Sequence, residues 1–212
     1  MAILSTGQRT SSVTKWKIHE FVWPPQPPVW QGDNGVAVRK PIVVDTNVLI
    51  AANGADAEWK PIASACANRL QSVMDCGVVC VDHSGLIMSE YGNKLPSRSR
   101  SGFGDMFYLW LAKHRANPSL CEHVTITQLV PPEDGFAEFP KLTKQLAAKI
   151  DRSDRKFIAV AHAHPEKPPI VQATDSKWIG WKQGLAETGI TIEFVDEGFL
   201  QPYYDKKMGS VK

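Results

Sequence analysis

The chain has 212 residues, 43% of them hydrophobic and 22% charged, with a formal net charge of +2. That length suits one core with an appendage, and a domain of this size buries enough surface to hold itself together without staples. A charge so near zero does not mark a polyanion binder, so any nucleic-acid contact has to come from local clustering.

The N-terminal "MAILSTGQRTSSVTKWK" turns polar after four residues and lacks the apolar run of a signal peptide. Nowhere do about 18 apolar residues run together, so no membrane span and a cytoplasmic location are expected. The four cysteines, Cys66, Cys76, Cys80 and Cys121, form no CxxC pair and have no histidine at finger spacing. Buried reduced thiols are therefore expected rather than a zinc site.

Residues 1–40 stand apart as an arm. The stretch "KWKIHEFVWPPQPPVWQGDNG" carries three tryptophans and four prolines, a density that forbids a helix and favours extended backbone. The arm is expected to wrap its own domain in preference to docking on a partner, because aromatics in extended chain bury against what lies nearby. Residues 41–200 are read as one domain and 201–212 as a C-terminal tail.

Within that domain, short runs rich in Val, Ile and Thr alternate with longer amphipathic segments. The runs "PIVVD" (41–45), "GVVCV" (77–81), "HVTITQL" (123–129), "PPIVQAT" (168–174) and "GITIEFV" (189–195) predict strands. Helices are predicted at 57–75, 84–94, 103–116, 141–149, 154–163 and 176–188. Pro61 fits only a first turn, so the first of these is expected to start near residues 58–60. Such alternation implies an α/β fold with a parallel sheet between two layers of helices.

Ligands of open α/β sheets sit beyond the carboxyl ends of the strands. Asp45 closes the first predicted strand and Asp175 follows the fourth. Glu90 lies beside the apolar stripe of "SGLIMSEYGNKL", and Asp154 opens "DRKFIAVAHA" at a predicted helix N-terminus. Each has an ordinary alternative as a cap, a dipole partner or a surface residue. Gathered on one edge, however, four carboxylates repel one another unless a cation is present. A hard divalent ion, Mg²⁺ or Mn²⁺, takes oxygen ligands, activates water and stabilises a phosphoryl group under attack. Phosphodiester hydrolysis is the chemistry such a set suggests.

These residues resemble the pattern of the PIN-domain nucleases. "VVDTNVLI" carries Asp45 and Asn47; Glu90, then Asp154 in "DRKFIAVA", then Asp175 in "ATDSKW" follow in the family's order over residues 41 to about 196. The resemblance implies a five-stranded parallel sheet flanked by helices and a metal-dependent ribonuclease. It also implies Asp45, Asp154 and Asp175 on the metal, directly or through water, Glu90 completing the site or orienting the attacking water, and Asn47 with the Thr174 hydroxyl orienting carboxylates. Many bacterial relatives are the toxin of a toxin and antitoxin pair, so RNA, an antitoxin-like protein and a second copy of the chain are the implied partners. Many relatives also carry an acid where this chain has Lys177, which would pair with a carboxylate, meet a substrate phosphate or reach solvent.

The segment 93–115 holds Lys94, Arg98, Arg100, Lys113 and Arg115 against Asp105, and its "PSRSRSGFG" loop begins just after Glu90. Arg98 and Arg100 are read as contacts for an RNA backbone, with a solvated basic loop as the alternative. His162 and His164, two apart on a helix, face different ways and are expected to be structural. Trp178 and Trp181 are expected in a core or interface. A phosphatase with Asp45 as nucleophile is disfavoured by Asn47, where such enzymes need a second acid. A module that keeps the fold and binds RNA or protein with little or no catalysis is the alternative to the nuclease.

Overall fold

The structure is a computed structural model that describes residues 39–95, 102–131 and 135–209. The arm other than Arg39 and Lys40, together with Arg98 and Arg100, lies outside them. Five strands, β1 (Lys40–Val44), β2 (Gly77–Asp82), β3 (Cys121–Val124), β4 (Ile170–Gln172) and β5 (Ile192–Phe194), form one sheet in the order β3-β2-β1-β4-β5. Every pairing is parallel. The expected α/β fold with a five-stranded parallel sheet is therefore present.

The helices are α1 (Thr46–Ala52), α2 (Lys60–Cys76), α3 (Leu86–Lys94), α4 (Phe103–His114), α5 (Lys144–Lys149), α6 (Arg155–Ala163), α7 (Lys177–Ala186) and α8 (Glu197–Gly209). The helices flank the sheet: α1 to α4 pack against one another, α6 packs on β1, β2 and β4, and α7 packs on β5. The central strands are covered on both faces, and all six residues of β2 are buried, whereas the middle of the edge strand β3 is exposed. Trp178 and Trp181 are both buried in this core, with ring centroids 5.2 Å apart.

Several boundaries move. The third predicted strand, 123–129, is shifted toward its N-terminus: β3 is Cys121–Val124, and Gln128 instead makes an isolated antiparallel bridge with Phe136. Pro61 does sit in the first turn of α2. Two helices had no sequence signal. In α1 only seven residues follow Asp45, too few to display a period. In α8, Pro202 lies inside the helix, and residues 201–209, set apart above as a tail, continue it. Burial of Leu200 and the rings of Trp59, Phe199 and Tyr203 anchor α8 to the start of α2.

One glycine is dictated by packing. At Gly104 a Cβ would come 1.9 Å from Leu49 O, so α4 can approach α1 this closely only with no side chain there. Asn53, just past α1, accepts a hydrogen bond from Asp105 N at 3.1 Å, capping α4 from a neighbouring element.

The sheet order reverses between β1 and β4. Leaving β1 the chain moves toward β2 and β3, then returns across the sheet to β4. The crevice at a switch point of this kind is where open α/β sheets bind ligands. Asp45 leaves β1 and Asp175 follows β4, so both stand at its mouth.

Candidate functional site

Asp45 is fixed by backbone on both sides. Its N–H donates to Val171 O at 3.0 Å, extending the β1–β4 ladder by one residue, and its carbonyl accepts from Val48 N at 3.1 Å as α1 begins. The Oδ1 atom accepts from Asn47 N at 2.8 Å, capping α1. The carboxyl group is nonetheless pushed up to about 8. Burial is the main cause, followed by the negative charge of Asp154; Glu90 and Asp175 add to it against the Asn47 N–H. Asp45 thus senses all three of the other acids picked out in the sequence.

Asp154 sits at the N-cap position of α6, yet its side chain makes no capping hydrogen bond. Oδ1 accepts from Ser153 Oγ at 3.3 Å, while Oδ2 is buried with no hydrogen-bond partner; the residue is only 9% exposed. Its carboxyl is pushed up to about 7 by burial and by Asp175 and Asp151, against Lys177 and Ser153. A cap does not explain this residue. A buried carboxylate oxygen left unpaired is costly and is a donor atom suited to a cation.

Asp175 lies with Asp154 and with Asp151, an acid that no sequence motif marks: one carboxylate oxygen from each falls within 4.8 Å of the others. The spacing Asp151 to Asp154 brackets the turn into α6, where Asp154 N donates to Asp151 O at 3.0 Å. Asp175 Oδ1 accepts from Lys177 N at 3.1 Å. Lys177 Nζ bonds Asp151 Oδ2 and lies 3.4 Å from Asp175 Oδ2. Burial pulls this ammonium down, but the bond to Asp151 and the charges of Asp175 and Asp151 outweigh it and hold the lysine above its usual value.

Glu90 is placed beside Asp45 but is already engaged. Thr46 Oγ1 donates to its Oε1 at 2.7 Å, and Lys156 Nζ pairs with its Oε2. Lys156 is 7% exposed and also bonds Ser153 O, so a buried ammonium bridges α6 and α3 beneath the site. Tyr91, next to Glu90, donates its hydroxyl to Val44 O and ties α3 to the end of β1. Glu90, expected to complete the site or orient the attacking water, thus stands beside Asp45 with one hydrogen-bond partner on each carboxylate oxygen.

Of the two neighbours expected to orient these carboxylates, Asn47 bonds one of them. Asn47 acts through its backbone N–H. Among the described residues, the hydroxyls bonded to carboxylates of the four are those of Thr46, on Glu90, and Ser153, on Asp154, with no such bond from Thr174. Lys156 and Thr46 were visible in the sequence only as members of apolar segments, and their pairing with Glu90 is a tertiary event.

A second cluster, Cys80, Glu122 and His164, also brings ligand-type atoms within 4.8 Å. Here Glu166 N donates to His164 Nδ1 at 3.1 Å, which leaves the ring proton on Nε2, 3.2 Å from Glu122 Oε2. His162 Nδ1 meets Glu138 O at 2.9 Å, so both histidines have structural partners. The four cysteines are free thiols, three of them buried.

Among the described residues no helix is long and apolar enough to cross a membrane. No protein-family model matches the chain, and neither a curated protein nor a solved structure matches it.

Proposed function

We propose that the chain is a divalent-metal-dependent ribonuclease of the PIN type, hydrolysing RNA phosphodiester bonds at the carboxyl edge of the sheet. The observation that carries this reading is the buried, unpartnered Oδ2 of Asp154 in a group of three carboxylates at the switch point. Anionic oxygens with no protein donor suit a hard cation, and Mg²⁺ and Mn²⁺ both take such ligands.

Asp154, Asp175 and Asp45 would hold the ion. When bound, it supplies Lewis acidity to a phosphoryl oxygen and lowers the pKa of a coordinated water. The protein's part is to fix its carboxylates in advance. Asn47 N–H and the β1–β4 ladder orient Asp45, and Lys156 and Thr46 hold Glu90 in place beside it. RNA as substrate is favoured by the exposed Lys94, Lys113 and Arg115 of the basic segment.

A weakly catalytic or non-catalytic binding module is the second reading. The observation in its favour is that Lys177 and Lys156 already neutralise part of the acid cluster. Incubating the full chain with RNA and Mg²⁺ or Mn²⁺ separates the two. Cleavage lost in Asp154→Asn and Asp175→Asn supports the nuclease; RNA binding with no divalent-dependent cleavage supports the module.

A further inference from the structure

Five carboxylates, from Asp45, Glu90, Asp151, Asp154 and Asp175, meet two ammonium groups in and beneath the crevice. The two lysines do not share the acids evenly. Lys156 takes Glu90 from below. Lys177 takes the outer pair, Asp151 and Asp175, while its own N–H donates to Asp175 Oδ1. Asp154 Oδ2 is left with no hydrogen-bond partner in the buried part.

Lys177 is the first residue of α7, so its backbone is fixed, and two acids draw its side chain to one spot. Two-metal hydrolases place their ions about 3.5–4 Å apart and need carboxylate lone pairs to bridge both. Here the acids that would take an outer ion already face an ammonium, and Glu90 is paired with Lys156. A second divalent ion would have to displace Lys177 and then endure its charge close by.

We propose that Lys177, anchored by Asp151, is a built-in cation that fills the outer half of the crevice and limits it to one divalent ion held by Asp154, Asp45 and Asp175. This rests on reading the acid cluster as a cation site. Lys177 supplies fixed positive charge where another site of this kind would recruit a second ion, and Asp151 is the residue that positions it.

The test is ion stoichiometry, which needs no activity: titration of the full chain with Mn²⁺, free Mn²⁺ being followed by electron paramagnetic resonance. The expected result is one Mn²⁺ per wild-type chain, two for Lys177→Met and Lys177→Glu, and one again for Lys177→Arg, which keeps the charge. A thermal melt on each variant verifies the fold. Two ions on the wild type, or one on both Lys177→Met and Lys177→Glu, overturns the role of Lys177 while leaving the cation site standing. No Mn²⁺ bound by any folded form overturns the cation site itself and this inference with it.

Discussion

Two strands of the sheet end in a buried aspartate, and the two acids are treated in opposite ways. Asp82, at the end of β2, is fully buried and accepts three hydrogen bonds, from Ser84 Oγ, Leu86 N and Ile87 N, each at 2.7 Å. It is a satisfied cap for α3. Asp45, at the end of β1, accepts one, and Asp154 facing it leaves an oxygen with none. Both strand ends could have been closed by the same device, since a helix starts within four residues of each. The difference is in the neighbours: at β1 and β4 the chain brings other carboxylates, and at β2 the turn into α3 itself supplies the donors. A buried acid is structural where the fold surrounds it with N–H groups, and a candidate for cation chemistry where the fold surrounds it with its own kind.

The contrast is broken most directly by activity. Asp154→Asn or Asp175→Asn is expected to lower Mn²⁺-dependent RNA cleavage by about 10³-fold, the upper scale for removing one group that stabilises developing charge. Asp82→Asn should leave the rate per folded molecule within a few-fold. Equal losses in an RNA cleavage assay would show that both acids are merely structural.

The next largest effect is on stability against pH. With a carboxyl at about 8 in the folded chain and 3.8 as reference, the native state holds a proton that the unfolded chain releases between those values. Stability from this group therefore falls as pH rises through the window, and the penalty is complete above about pH 8. Without divalent ions, Asp45→Asn should gain on the wild type between pH 5 and pH 8. The ceiling is about 4 kcal/mol, at ~1.4 kcal/mol per pH unit. Denaturant unfolding at the two pH values measures it, and a constant difference would contradict the raised carboxyl.

Asp82→Ala should cost about 3 kcal/mol, since three donors at the start of α3 lose their acceptor. Its melting temperature should fall at every pH from 5 to 8. Smaller again is the gain from an ion: Mn²⁺ at about 100 times its dissociation constant should stabilise the wild type by ~2.7 kcal/mol. Asp154→Asn should lose that shift in a thermal melt and Asp82→Asn should keep it.

Much of the frame was legible locally. Strand runs such as "PIVVD" and "GVVCV" carry their own signature because parallel strands buried on both faces need β-branched apolar residues throughout. The helix from Arg155 to Ala163 was legible from its apolar spacing. Missed were α1, too short to show a period, and α8, whose Pro202 argues locally against a helix that burial of Leu200 and its aromatic neighbours maintains. Of the site, Asp45, Asp154 and Asp175 could be read because strand ends and helix starts are sequence-local features. Asp151 could not, since nothing in "KIDRSD" separates it from a solvated acid.

The sequence by itself determined the alternation of strands and helices and hence which acids fall at the carboxyl edge of the sheet, because hydrophobic periodicity reports burial one element at a time. Only the tertiary structure decided which of those acids have donors and which do not. Lys156 reaches Glu90 across 66 positions of chain and Lys177 reaches Asp151 across 26. Pairings at such separations leave no local pattern, since they depend on where the fold sets one element against another.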